Sequence, residues 1–236
     1  MMTTIIHWPR HLLRPRVPAA NVVPFSRGGG RTLGGVGRVT RTDKGFWRVE
    51  LGEIPISTTE HRRSWNAIRT LLSGQAGLIH VPIWSRDTAP YASGLYEAAV
   101  TVPFDDDTTF DDGSEFWQGA ISLKAAADVS IGATSMQIEI VDAAEDLAGI
   151  RFSYDGAAYE TGSAILVSGN IWSVTISPSV RAAIPAGADL EADEPTCICR
   201  LEDDRGMDIR LSLSQVDYPS VAFVEATDYW NDLAVA

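Results

Sequence analysis

"SRGGGRTLGGVGRVTRTDKGFWRVEL" occupies residues 26–51, and its reading decides the rest of the chain. Seven glycines and five arginines crowd into it, although the 236-residue protein carries a formal net charge of −12. It could be a phosphate-binding loop, a nucleic-acid patch, or a strand pair with an arm. A dinucleotide or P-loop fingerprint needs a strand before the glycines and a helix after them. Here strands follow the glycines, and no Gly-Lys-Ser/Thr triplet occurs in the chain. Nucleic-acid binding is weakly supported, because no aromatics interleave the arm's arginines and the chain is acidic overall.

The second half of the stretch alternates. In "KGFWRVEL" Trp47, Val49 and Leu51 face one way, and Phe46, Arg48 and Glu50 the other. "GRVTRT" (37–42) reads as a second strand, with Asp43-Lys44-Gly45 as the tight reversal and Gly45 suited to the positive φ of a bulged hairpin. "SRGGGRTLGG" has too little apolar content to pack and is expected to be a flexible arm or loop.

The chain is long enough for one large domain or two small ones, each with a real core. No apolar run reaches the roughly 18 to 20 residues needed to span a bilayer, so membrane insertion is not expected. Met1 to Leu13 lacks an apolar signal core and meets Trp8-Pro9 early, unlike a signal peptide. Cys197 and Cys199 would share one face of a strand, where an i, i+2 disulfide is strained; they read as reduced, half-buried residues. Residues 1–100 hold 13 Lys and Arg against 6 Asp and Glu, whereas residues 101–236 hold 6 against 25. That asymmetry fits either head-to-tail contact between copies or partners, or a solvated acidic surface.

One helix is expected over 57–73. Ser57 with Glu60 forms a capping box, Trp65, Ile68, Leu71 and Leu72 form an apolar stripe, and Gly74 suits the left-handed exit. The cap contributes on the order of 1 kcal/mol, and burial of the stripe several times that. "GLIHVPIW" follows as a buried strand. "FDDDTTFDDGSEF" (104–116) is an acidic surface loop whose spacing does not fit a calcium loop.

"SMQIEI", "GIRFSY", "SAILVS" and "IWSVTI" are short strands separated by Asp155-Gly156 and Ser168-Gly169-Asn170 turns. "SPSVRAAIPAG" is expected to add one helical turn. Residues 127–195 thus form a small β-barrel or sandwich. From Thr196 the chain gives a strand, a turn at Asp204-Arg205-Gly206, another strand, and a last one at Val221 to Glu225. The fold expected is mainly β: an α+β core from 1–126 and 196–236, interrupted by an inserted β domain at 127–195.

No catalytic, cofactor or metal site is expected. Pro9 argues against a helical His7/His11 pair, no Gly-x-Ser-x-Gly elbow exists, and Cys197-x-Cys199 lacks two further ligands at useful spacing. Glu97 and the carboxylates of 105–115 are the candidates for a glycosidase pair. Among seven tryptophans, Trp47, Trp65, Trp84 and Trp172 sit on apolar stripes, whereas Trp8, Trp117 and Trp230 stand in polar or terminal contexts as possible surface contacts.

"HWPRHLLRP", "GGVGRVTRTDKGFWRVEL", "WNAIRTLLSGQAG" and "VPIW", followed by "FDDDTTFDDGSEF", "GATSMQIE", "SPSVRAAIPAGADLE", "PTCICRLEDD" and "PSVAFVEA", together resemble tail proteins of long-tailed (siphovirus-type) bacteriophages and prophages. Within that group the chain is similar to the distal tail protein. The resemblance implies a virion part: a tail-tube-like β-sandwich with one flanking helix, assembled into a hexameric ring between the tail-tube protein and the baseplate hub protein. It places the protein at the virion tail tip, made in the host cytoplasm, with DNA only as passing cargo. Arg27, Arg31, Arg38, Arg41, Lys44, Phe46 and Arg48 then become the assembly residues. Six copies at −12 each would carry −72, a field that repels passing phosphates where it lines the channel. The inserted domain departs from the family pattern, in which the second domain often follows the core. A carbohydrate-binding adhesion module at the tail tip is the alternative.

Overall fold

Two six-stranded sheets organise the chain in a computed structural model that describes residues 5–31, 33–35, 37–102, 116–209 and 216–235. The first contains β1 (Ile6–His7), β2 (Val17–Arg31), β3 (Gly37–Gly52), β4 (Ile79–Pro82), β13 (Thr196–Leu201) and β14 (Val221–Glu225). Its order is β1-β4-β13-β14-β3-β2, antiparallel except for the β1–β4 pair. The second contains β7 (Ser122–Ala125), β8 (Ser135–Asp142), β9 (Arg151–Tyr154), β10 (Ala157–Ser168), β11 (Ile171–Ser177) and β12 (Asp189–Leu190), in the order β12-β7-β8-β11-β10-β9. Ser153 and Glu191 exchange backbone hydrogen bonds of 2.7 and 2.9 Å, so the two edges of this sheet meet and nearly close it into a barrel. A separate pair joins β5 (Val100–Val102) and β6 (Phe116–Gln118). The result is a mixed α+β fold.

The opening stretch folds differently from the expectation. Asp43-Lys44-Gly45 does not reverse the chain. These residues lie inside β3, which pairs with β2 from Val17↔Gly52 to Arg31↔Gly37. The reversal lies between Arg31 and Gly37, where Gly35 has a φ of 78°. "SRGGGR" is therefore strand rather than loose arm. Between Val23↔Phe46 and Phe25↔Thr42, β3 advances four residues against two in β2, so the turn-like triplet is absorbed as a bulge. A Cβ on Gly45 would sit 3.0 Å from Val22 Cγ1 and Val23 O, so close approach explains this glycine.

Helix α1 (Thr59–Leu72) begins one residue later than the capping box implies. Thr58 is the cap, and its Oγ1 accepts from the His61 N–H at 3.1 Å. Trp65, Ile68 and Leu72 are buried, whereas Leu71 faces solvent. Ser73 (φ 48°) enters the left-handed region ahead of Gly74 (φ 74°). Burying the Trp, Ile and Leu side chains is worth about 1.5–3 kcal/mol each. A second helix, α2 (Thr227–Val235), had no expectation attached to it.

The expected turn chemistry in the second sheet is present. Asp155 and Gly156, with φ of 49° and 78°, link Tyr154 to Ala157 across a two-residue hairpin. Gly169-Asn170 links Ser168 to Ile171 in the same way. "SPSVRAAIPAG" forms no helical turn. Its Val180 and Ile184 exchange backbone hydrogen bonds with Gly132, Ala133 and Val129, which hold the segment extended along the barrel. After the turn at Asp204-Arg205-Gly206, Met207 to Ile209 are not strand, and the continuation at 210–215 lies outside the described residues.

Strand β13 belongs to both cores. Cys197, Cys199 and Leu201 pack with Trp47, Trp65 and Phe223, whereas Ile198 packs with Phe152, Tyr159 and Trp230. The Ile198 N–H also donates to Gly156 O at 2.8 Å. Both cysteines are free and fully buried rather than half-buried, and burial pushes the Cys197 thiol well up.

Candidate functional site

The long β2–β3 hairpin is the feature that the assembly residues share. β2 is the terminal strand of its sheet, so one backbone edge has no strand neighbour among the described residues. At roughly 3.4 Å per residue its 15 residues extend about 50 Å. Cross-strand pairing of Arg27 with Thr40 and of Phe25 with Thr42 puts Phe25, Arg27 and Arg38 on one face. Arg31 lies near the tip beside a fully exposed Leu33.

Arg27, Arg31, Arg38 and Lys44 are exposed, and none of these side chains has an acidic partner among the described residues. Arg41 pairs through its backbone with Ser26, while its side chain lies outside the described residues. Lys44 occupies the bulge, where its N–H donates to Thr42 Oγ1 at 3.1 Å. Phe46 is half-buried against Phe25, ring centroids 5.5 Å apart. Arg48 is already engaged within the chain. Its Nε and Nη2 donate to Glu202 Oε1 and Oε2 at 2.8 and 2.7 Å, with Glu50 at 3.3 Å. This fork raises the guanidinium and holds the Glu202 carboxyl below the usual carboxylate range.

The base of the hairpin is fixed by a buried ion pair for which the local sequence carries no signal. Arg181, between β11 and β12, donates from Nε and Nη2 to Glu225 Oε1 and Oε2 at 2.7 and 3.0 Å, and also to Gly45 O. The second Glu225 oxygen accepts the Trp47 N–H at 3.0 Å. Their side chains are 11% and 0% exposed. The Arg181 N–H donates to the Tyr159 hydroxyl at 3.0 Å, and burial first of all raises that phenol to about 12. Trp47 Nε1 donates to Ala158 O at 2.7 Å. Hairpin, barrel and β14 therefore meet at one charged knot.

Two of the three tryptophans expected at the surface are core residues. Trp8 is buried, donates to Leu13 O at 2.9 Å, and sets its edge against Trp65 and Phe223. Trp230 is buried against the barrel, because α2 folds its terminal context inward. Trp117 pairs with Thr101, and its side chain lies outside the described residues. Trp47 and Trp65 are buried as expected, and Trp84 and Trp172 are partly so.

A second polar cluster lies beside a cleft of about 430 Å³ lined by His11, Arg86, Tyr96 and Glu194. Arg10 and Arg86 lie 3.1 and 3.6 Å from Glu194, and the Tyr91 hydroxyl donates to Asp193 at 2.8 Å. Burial pushes the Arg10 guanidinium down and the Tyr91 phenol up. These contacts tie the N-terminal turn to the segment after β12. Hydrogen bonds from the Ser93 side chain first, then from the Ser93 N–H at 2.8 Å, hold the Glu97 carboxyl low; the 105–115 carboxylates lie outside the described residues. His7 stacks on His80 at 4.4 Å rather than pairing with His11. Among the described residues no group of three or more His, Cys, Asp or Glu could hold a metal ion, and no helix is long and apolar enough to cross a membrane.

Compared with known protein families, the chain matches no family model, and compared with curated proteins it matches none.

Proposed function

We propose that this chain is a structural virion protein of a siphovirus-type tail, a distal tail ring that joins the tube to the tail-tip hub around the DNA channel. The observation that carries the reading is the β2–β3 hairpin: a long terminal strand with a free edge, beside exposed arginines that have no acidic partner in the described part of their own chain. Such an edge is a template for pairing with another chain, and closing copies into a ring removes it. The ordered tail-protein motifs add to this. In this reading the first sheet with α1 is the tail-tube-like sandwich, and the barrel is an insertion that braces neighbours.

The copy number is six, the flanking partners are the tube and hub proteins, and the protein resides at the virion tail tip after synthesis in the host cytoplasm. The role is assembly rather than catalysis. Native mass spectrometry with negative-stain imaging of the same sample tests it. The expected result is a hexameric ring with a central hole. A chain that stays monomeric both alone and with tube and hub proteins added would overturn the reading.

A further inference from the structure

Ile165, Leu166 and Val167 of β10 are 66%, 52% and 52% exposed; Leu166 pairs with Trp172 and Ile138 on the inner side of the sheet, whereas Ile165 stands on the outer side. Single exposed apolar residues are ordinary, but several grouped on one face mark a surface that another molecule covers. The first half of β10 is buried and the second half is not, and bulges interrupt its pairing after Thr161 and after Leu166. The register Ser168↔Ile171↔Glu139 and Ile165↔Ser173↔Gln137 puts Ile165, Ile171 and Glu139 on the outer face. Exposed Val141 lies two residues beyond Glu139 on the same strand face.

This face is also negative. Lys124 stands opposite Glu139, but its ammonium lies 3.6 Å from Asp189. Among the described residues, Glu139 takes only an Asn170 amide, at 3.2 Å. Asp142, Glu145 and Asp146 continue from the end of β8, and none of these four carboxylates has a cationic partner among the described residues. The hairpin offers the complement: exposed Phe25 beside Arg27 and Arg38 on one face, with Arg31 and Leu33 towards the tip.

The geometry points to a contact in which the β2–β3 hairpin of one copy lies across the outer β8–β11–β10 face of a second copy. Apolar area meets apolar area, and arginine meets carboxylate. The two surfaces differ, so the contact is head-to-tail and leaves every copy one free donor and one free acceptor, as a ring requires. The inference rests on the self-assembly proposed above and names the surfaces that make it.

Disulfide trapping in full-length chains tests it. Thr40→Cys marks the Phe25/Arg27 face, and Ser168→Cys marks the barrel face. Cys197 and Cys199 are buried and do not compete. Mixing the two variants under mild oxidation should give a linked dimer that neither variant gives alone. Adding Arg27→Glu and Arg38→Glu to the first should lower the yield about tenfold, and Glu139→Arg in the second should restore it. Gln137→Cys is a second acceptor on the same face, should Ser168→Cys fail to fold. If wild-type chains associate in native mass spectrometry but no mixed disulfide forms, the hairpin docks elsewhere and this inference falls while the ring reading stands. If there is neither disulfide nor association, alone or with tube and hub proteins added, both fall.

Discussion

Both oxygens of the buried Glu225 are engaged, by two Arg181 nitrogens and by the Trp47 N–H. Removing one member of such a pair strands the other in a medium that solvates it poorly. Glu225→Ala should therefore cost about 3–5 kcal/mol, read from urea denaturation. Replacing both partners with Met should cost less than either single loss, because no unpaired charge remains. Near-additive losses would show that the two groups act separately. His80 supplies a pH signature. Burial first, then the stacked His7, holds its imidazole below the usual histidine range, with Asp155 opposing them. The unfolded chain thus takes up this proton at higher pH than the folded one. The contribution to stability is complete above about pH 6.5 and is lost as pH falls below it. The urea midpoint should drop between pH 7.5 and 5.5, and drop less in His7→Ala. An equal drop in both proteins would remove His7 from the account.

At the scale of elements, α1 offers a test by two neighbouring hydroxyls. Thr58→Ala should lose about 1 kcal/mol of stability, and Ser57→Ala should stay within a few tenths, both read by thermal melting. The reverse order would return the cap to Ser57. Gly156→Ala should be destabilising by more than 1 kcal/mol or so, since a left-handed φ of 78° coincides with a Cβ position 2.6 Å from His80 Cε1 and 2.8 Å from Ile198 Cγ1. A variant as stable as wild type would mean that the turn shifts without cost. The Asp155-Gly156 hairpin was legible because its turn is decided by two adjacent residues. Asp43-Lys44-Gly45 misled for the complementary reason. Locally it is good turn chemistry, but β2 pairs with β3 on both sides of it, and the ladder overrides the turn. The SPSVRAAIPAG segment is a similar case, held extended by Val129 and Ala133, which lie some fifty residues before it in sequence.

For the whole molecule, the two sheets should melt together. Ile198 sits in one core and its neighbours Cys197 and Cys199 in the other, and the Arg181–Glu225 pair bridges them. Tryptophan fluorescence and far-ultraviolet circular dichroism should report one coincident urea transition; two separated transitions would mean independent units. That coupling was the part least legible in sequence. Alternation marks β13 as a buried strand, but nothing local says that its two faces serve different cores. Likewise, Arg181 and Glu225 stand 44 positions apart, and nothing periodic between them signals that the two meet. β13 therefore acts as a party wall, and this limits transplantation. Cut out at 122–191 and grafted onto another scaffold, the barrel would leave Ile198 behind, together with the Ile198 N–H that donates to Gly156 O. It would arrive with a slot in its core and a loose hairpin. A graft that keeps the barrel intact must carry residues 196–201 with it, although they lie outside the excised segment.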